Sequence, residues 1–166
     1  MISSFTTDRL ILDPLDMEDA GFILELLNSD GFITFIGDRK VRTIEDARNY
    51  IEKIMANADI SYWIVKLKDG IIPVGIVTRI KRSYLDHPDI GFAFLPGFNN
   101  KGYAFEAAHI VLMSLLNDYG HKSILATAAL DNTRSMRLLG KLGLKPEMKI
   151  KVEGEDLMLY RISIAG

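Results

Sequence analysis

The sequence predicts a single α/β (α+β) domain over residues 1–166. It reads as a mixed, mostly antiparallel sheet of about seven strands flanked by about four helices. Three observations carry this. Three strand-like runs follow one another at residues 62–67, 74–81 and 89–95, the first two joined by the tight turn Lys68-Asp69-Gly70. A loop with two glycines then opens a long apolar-periodic helix, and a further strand follows it, which is the pattern of a parallel crossover. Two helical stretches precede this block, and a short helix and a last hairpin close the chain.

Residues 9–15 (Arg-Leu-Ile-Leu-Asp-Pro-Leu) form the first strand. Asp16 caps the helix that follows, with Glu18 and Asp19 meeting its positive end, and Ala20, Ile23, Leu24 and Leu27 recur at helical spacing. Residues 28–42 have weak periodicity and two glycines, so an irregular linker is expected. Thr43 starts a second helix with Asp46 placed as a capping-box acid. Its buried stripe is Ile44, Ala47, Tyr50, Ile51 and Ile54. The three strands then run to Leu95, with residues 82–88 as the loop before the third. The long helix covers residues 102–119 and stops at Gly120. Residues 123–129 form a strand, residues 132–142 a helix capped by Asn132 and stopped by Gly143, and residues 149–152 and 157–164 a hairpin around Glu153-Gly154-Glu155.

Composition narrows the function. Of the chain, 48% is hydrophobic and 25% charged, as in an ordinary globular protein. A net charge of −2 gives no bulk reason to bind nucleic acid or an anionic membrane. No membrane-length apolar run and no signal peptide are read, and a cytoplasmic location is the expectation. The chain has no cysteine, which excludes disulfides, thiolate metal sites and a cysteine nucleophile. No His, Asp and Glu cluster has metal-ligand spacing, so no metal is expected. His87, His109 and His121 read as structural or exposed.

The stretch Leu95-Pro-Gly97-Phe-Asn99-Asn100-Lys101-Gly102-Tyr103-Ala104 leads from a strand into the long helix. Such a turn stacks backbone N–H groups that lack partners within the helix, and those groups attract anions, phosphates above all. It is neither a Walker A sequence nor a dinucleotide fingerprint. Taken alone, the loop reads equally as a turn with a capping glycine.

A second segment, Asn132-Thr-Arg-Ser135, followed by Lys141-Leu-Gly143-Leu, lies about thirty residues further on. Together with Gly102-x-Ala104 it resembles the GNAT N-acetyltransferase superfamily. The opening Thr7-Asp8-Arg9-Leu10-Ile11-Leu12-x-Pro14-Leu15-x-x-Glu18-Asp19-Ala20 is similar to its ribosomal-protein N-acetyltransferase (RimJ/RimL-like) branch. Asp89-Ile-Gly91-Phe and Lys101-Gly-Tyr-Ala-x-Glu106-Ala also follow that branch's habits.

The resemblance implies a GNAT-like fold splayed between residues 90–95 and Ser123–Ala129, with the pantetheine arm of acetyl-CoA lying in the gap. Phe94 and Leu95 are the positions that would bond it through the backbone. The family's phosphate motif, Arg/Gln-x-x-Gly-x-Gly/Ala, reads here Asn99-Asn100-Lys101-Gly102-Tyr103-Ala104. Asn99 departs from it at one side-chain contact. Ser135 would meet the departing thiolate as hydrogen-bond donor or general acid; a first-turn serine bonded to backbone is the plain alternative. Asn132 would cap its helix and also bond pantetheine. Lys141 would meet the adenosine phosphates, or serve only as a last-turn cation. Lys101 would add positive charge to the loop, or stand solvated. Asp89 would be the base that deprotonates the amine, directly or through a water, or else a solvated strand-end acid. Phe32, Phe35, Trp63 and Tyr84 are candidate walls for the acceptor.

The activity implied is transfer of an acetyl group from acetyl-CoA to a primary amine, on a protein N-terminus or a small molecule, by direct attack in a ternary complex. The protein is expected as a monomer or homodimer. Two alternatives stand beside it: a catalytically inactive acyl-CoA-binding regulatory module, and a nucleotide-binding protein with a similar loop.

Overall fold

The computed structural model describes residues 2–164. The β-branched and aromatic runs pair into one eight-stranded sheet, with spatial order β1-β2-β3-β4-β5-β6-β8-β7. The strands are β1 (Phe5–Thr6), β2 (Leu10–Pro14), β3 (Ile60–Leu67), β4 (Ile72–Ile80), β5 (Asp89–Phe94), β6 (Ser123–Ala129), β7 (Lys145–Val152) and β8 (Glu155–Ser163). Every neighbouring pair is antiparallel except β5 with β6. The helices are α1 (Ala20–Leu27), α2 (Asp30–Phe35), α3 (Ile44–Met55), α4 (Tyr103–Asn117) and α5 (Thr133–Lys141).

Alternation along each strand sends side chains to two faces, and each face is covered by helices. One core joins Leu10, Leu12, Trp63, Val65, Val77 and Ile90 to Ala107, Ala108, Val111, Leu112 and Leu115 of α4. Ala107 and Ala108 are small and fully buried, so α4 lies close on the sheet. The other core joins Ile64, Ile76 and Leu95 to Ile23, Leu26 and Leu27 of α1 and Ala47 and Ile51 of α3. The Thr43–Asp46 capping box forms at the start of α3 as the sequence predicts, and such a cap contributes about 1 kcal/mol. Asp16 forms a second box with Asp19 on a 3-10 turn, Met17–Asp19, ahead of α1.

Ile44, expected in the buried stripe of α3, is the helix's first residue and is 42% exposed, and three further features differ from the sequence reading. A two-residue strand, β1, extends the sheet beyond the first predicted strand. Residues 28–42 contain the six-residue helix α2. The ends of this excursion are pinned by Asn28, whose amide donates to Leu24 O at 2.7 Å and Val41 O at 2.8 Å. β7 begins at Lys145 rather than 149; it is an outer strand with mostly exposed side chains, so apolar alternation is weak there.

Candidate active site

The parallel pair is where the sheet opens. β4 and β5 are paired throughout, from Gly75 opposite Phe94 to Ile80 opposite Asp89. β5 and β6 share one pair only, Asp89 opposite Leu125. Beyond it the strands part, leaving a wedge between Gly91–Phe94 and the far half of β6. Because β5 and β6 run parallel, their C-terminal ends lie at the same edge of the sheet, and α4 and α5 both start there.

Backbone polarity along β5 follows from one hydrogen bond. The Leu95 N–H donates to Val74 O on β4 at 2.9 Å. In an antiparallel ladder, alternate residues bond the same neighbour, so Ala93 and Gly91 also face β4 while Phe94 and Phe92 turn their N–H and C=O toward the wedge. The bond from Leu125 N–H to Pro88 O, 2.9 Å, fits this phase. Of the two positions expected to offer backbone bonds, Phe94 therefore faces the gap and Leu95 is committed to β4. Gly75 makes this packing possible: a Cβ there would lie 2.6 Å from the Phe94 ring and 2.7 Å from Ala93 O.

The loop from Leu95 to Gly102 leads from the C-terminal end of β5 into α4. Gly97 and Gly102 take positive φ, as does Asn100 at 63°. Gly102 is the N-cap of α4, with φ 82°, and supplies no side-chain cap. The first intrahelical bond is Glu106 N–H to Gly102 O, 3.0 Å. The N–H groups of Tyr103, Ala104 and Phe105 therefore precede any acceptor within the helix. Asn99 is half-buried; Asn100, Lys101 and Gly102 are exposed. A groove of about 650 Å³ runs along the outer face of α4 from Arg9 past Gly102 to Lys141. Lys141 Nζ stands 5.4 Å from the Phe105 ring centroid. The last-turn cation is thus brought next to the loop by the packing of α5 on α4.

Asn132 Oδ1 accepts the Ser135 N–H at 3.2 Å, which confirms the cap. Ser135 itself is half-buried, and no hydrogen bond among the described residues engages its hydroxyl. Asp89 sits at the vertex of the wedge, 3% exposed, with its carboxylate held by Arg82 Nε. It is no solvated strand-end acid. Burial pushes its carboxyl above the usual range, against the pull of the Arg82 charge and hydrogen bond. Arg82 lies on the loop before β5, where no local pattern marks it as a partner of Asp89.

The expected acceptor walls divide. Trp63 (1% exposed) and Phe32 (5% exposed) are core residues, and the Trp63 ring N–H donates to Ser3 O at 2.8 Å. Phe35 and Tyr84 are exposed. The face of β5 carrying Gly91 and Ala93 is partly open. Nearby, the Tyr50 and Tyr62 hydroxyls bond at 3.0 Å. Burial, with Tyr50 alongside, pushes the Tyr62 phenol far up, so it stays protonated. Among the described residues, no group of three or more His, Asp and Glu could hold a metal ion, and no helix is long and apolar enough to cross a membrane.

Residues 9–145 match the acetyltransferase (GNAT) domain family. The chain belongs to the GNAT acetyltransferase family. As a GNAT protein it is an N-acetyltransferase by family, with acetyl-CoA as co-substrate and an amine as acceptor. It is 28% identical over 142 residues to the uncharacterized N-acetyltransferase YnaD of Bacillus subtilis, covering 86% of this chain and 82% of that one. The crystal structure of a GNAT-family acetyltransferase from Bacillus anthracis is 28% identical, with TM-score 0.82 over 97% of this chain and 98% of that one. RimL, the ribosomal L7/L12 alpha-N-protein acetyltransferase solved with coenzyme A, shares the fold at 12% identity, with TM-score 0.84 over 98% of each chain.

Proposed function

We propose that this GNAT enzyme holds acetyl-CoA with its pyrophosphate on the α4 N-terminus and its pantetheine arm in the β5–β6 wedge. There it passes the acetyl group to a primary amine by direct attack. The observation that carries this reading is the wedge itself, a parallel pair joined at one residue and opening toward two helix N-termini. The residues fit the ligand. The first-turn N–H groups of α4 suit a pyrophosphate, and Gly102 keeps side-chain atoms off the loop. Phe94 and Phe92 turn backbone groups to a gap where an amide-bearing chain can lie like a strand.

The thioester supplies the activated acyl carbon. The Phe94 N–H is the backbone donor placed to polarise its carbonyl; such a donor is worth a few kcal/mol, roughly 3, when preorganised. Asn132 orients the first turn of α5, and Ser135 Oγ donates to the departing thiolate sulfur. Lys141 meets the adenosine phosphates across the α4 groove, and Lys101 adds charge at its mouth. With no cysteine in the chain, no cysteinyl acyl-enzyme can form, and the amine attacks the coenzyme thioester directly, releasing the coenzyme thiolate. Asp89, locked onto Arg82, serves as the anchor of the wedge vertex rather than as a free base.

The acceptor enters over Gly91 and Ala93, between the Tyr50–Tyr62 pair and the exposed Phe35 and Tyr84. Likeness to RimL supports a protein α-amine; a small-molecule amine fits the same opening. The deciding experiment is free-thiol release from acetyl-CoA with a panel of N-terminal peptides and small amines, beside a coenzyme A titration. Turnover on any member supports the enzyme. Coenzyme binding without turnover on any amine supports a regulatory module instead.

A further inference from the structure

An anion site at a helix N-terminus is weakened by a carboxylate in the same turn, and α4 carries one, Glu106. That carboxylate is saturated by residues 7–9. Its Oε1 accepts from Arg9 Nε at 2.8 Å. Its Oε2 accepts from the Thr7 hydroxyl and, at 2.9 Å, from the Arg9 backbone N–H. The same guanidinium donates through Nη1 to Lys101 O at 3.0 Å and lies 4.4 Å over the Tyr103 ring. Its Nη2 would be 3.2 Å from a Cβ on Gly102. One side chain from the bend just before β2 thus bonds Lys101, lies over the Tyr103 ring and pairs with the acid one turn on.

We propose that Arg9 is a positioning residue for the coenzyme: it cancels the Glu106 charge and sets the direction of the Gly102 N–H. The second part follows from peptide geometry. Lys101 C=O and Gly102 N–H belong to one planar trans unit and point opposite ways. Arg9 draws the carbonyl toward β2, so the N–H turns away from β2, on the side where the first-turn donors gather. It also keeps a carbonyl dipole from facing the pyrophosphate. Glu106 alone would repel that group across a distance of about one helical turn; paired with Arg9 it becomes the fixed post that holds the guanidinium in place. The stacking on Tyr103 restricts the remaining freedom of the fork.

The inference rests on the loop reading above, and the test separates the two. Coenzyme A affinity by calorimetry, kcat and melting temperature are measured for Arg9→Gln, Arg9→Lys, Glu106→Gln, the double variant Arg9→Gln/Glu106→Gln, and Gly102→Ala. Arg9→Gln is expected to weaken coenzyme A about tenfold while kcat at saturation stays within about threefold. Arg9→Lys keeps the charge but loses the fork, so its affinity falls between those two. Removing Glu106 as well restores part of the loss, because the uncompensated charge is gone. Unchanged affinity in Arg9→Gln, or a double variant no tighter than Arg9→Gln, overturns the proposal. If Arg9→Gln does not fold, Arg9→Lys decides: wild-type affinity there overturns it. Gly102→Ala reports on the loop itself. Undiminished coenzyme binding in that variant sinks the loop reading, whereas weakened binding there with a normal Arg9→Gln sinks only the role of Arg9.

Discussion

Ser135 and Asp89 differ in what already occupies them. One Asp89 oxygen, Oδ2, accepts from Arg82 at the wedge vertex; the Ser135 hydroxyl has no bond among the described residues, and its N–H is capped by Asn132. Ser135→Ala should therefore lower kcat by about 10- to 100-fold with little change in acetyl-CoA affinity. Steady-state kinetics checks this, and equal loss of both would make the serine merely positional. Asp89→Asn strands a guanidinium that is one-third exposed. A loss of roughly 2 kcal/mol is expected, below that for a fully buried pair, and a fall in melting temperature of about 4–8 °C. The acid limb of the pH–rate profile should survive; its disappearance would return Asp89 to the role of base. Glu106 carries a pH signature. Burial raises its carboxyl, but the bonds from Thr7 and Arg9 outweigh this and hold it below the ordinary 4.5. A carboxyl depressed in the folded state stabilises the fold above its unfolded value and loses that contribution as pH falls through the folded one. Melting temperature followed from pH 7 down to about pH 3 should thus fall less steeply in Glu106→Gln than in the parent.

At the scale of elements, the wedge depends on β5 being held from one side only. Gly75 lets Phe94 lie across β4, so Gly75→Ala drives a methyl into the Phe94 ring and the Ala93 carbonyl. The substitution should cost about 1–3 kcal/mol and raise the KM for acetyl-CoA, since the displaced strand carries the donors that face the gap. Chemical denaturation together with KM measurement tests it; lost stability with an unchanged KM would separate Phe94 from coenzyme binding. The helices divide the labour in the same way. α4 buries one side against the sheet and leaves Gly102, Phe105, Glu106 and His109 along its outer groove. α5 buries Leu139, caps itself with Asn132 and brings Lys141 beside that groove.

The whole molecule is a sheet opened at one seam, and a ligand filling the seam should tie its halves together. Coenzyme A at a hundred times its dissociation constant stabilises the folded state by about 2.7 kcal/mol. For a chain of 166 residues this is a rise in melting temperature of about 5–10 °C. Thermal shift with coenzyme A and with ATP in parallel measures it, and a larger shift with ATP would favour a nucleotide-binding protein over the coenzyme reading.

Much of this architecture was legible in the sequence because it is local. Strand alternation, the Thr43–Asp46 and Asn132 caps and the glycines at positive φ depend on residues a few positions apart, and these also mark the proposed coenzyme loop and the α5 segment. α2 escaped because six residues with a glycine inside have no periodicity to read, and β7 because an exposed edge strand has no apolar face. Tertiary structure alone decided the rest. The Arg82–Asp89 pair joins residues in a loop and a strand, and it makes the acid expected as the base or as a solvated strand end a buried, ion-paired group. The phase of the β4–β5 ladder assigned the free donor to Phe94 rather than Leu95. Arg9 and Glu106 stand 97 positions apart and meet only because β2 and α4 lie on one sheet. Local pattern marks a glycine-bearing loop ahead of a helix; the chemistry of its neighbours is set by which distant residues the fold brings within hydrogen-bond reach.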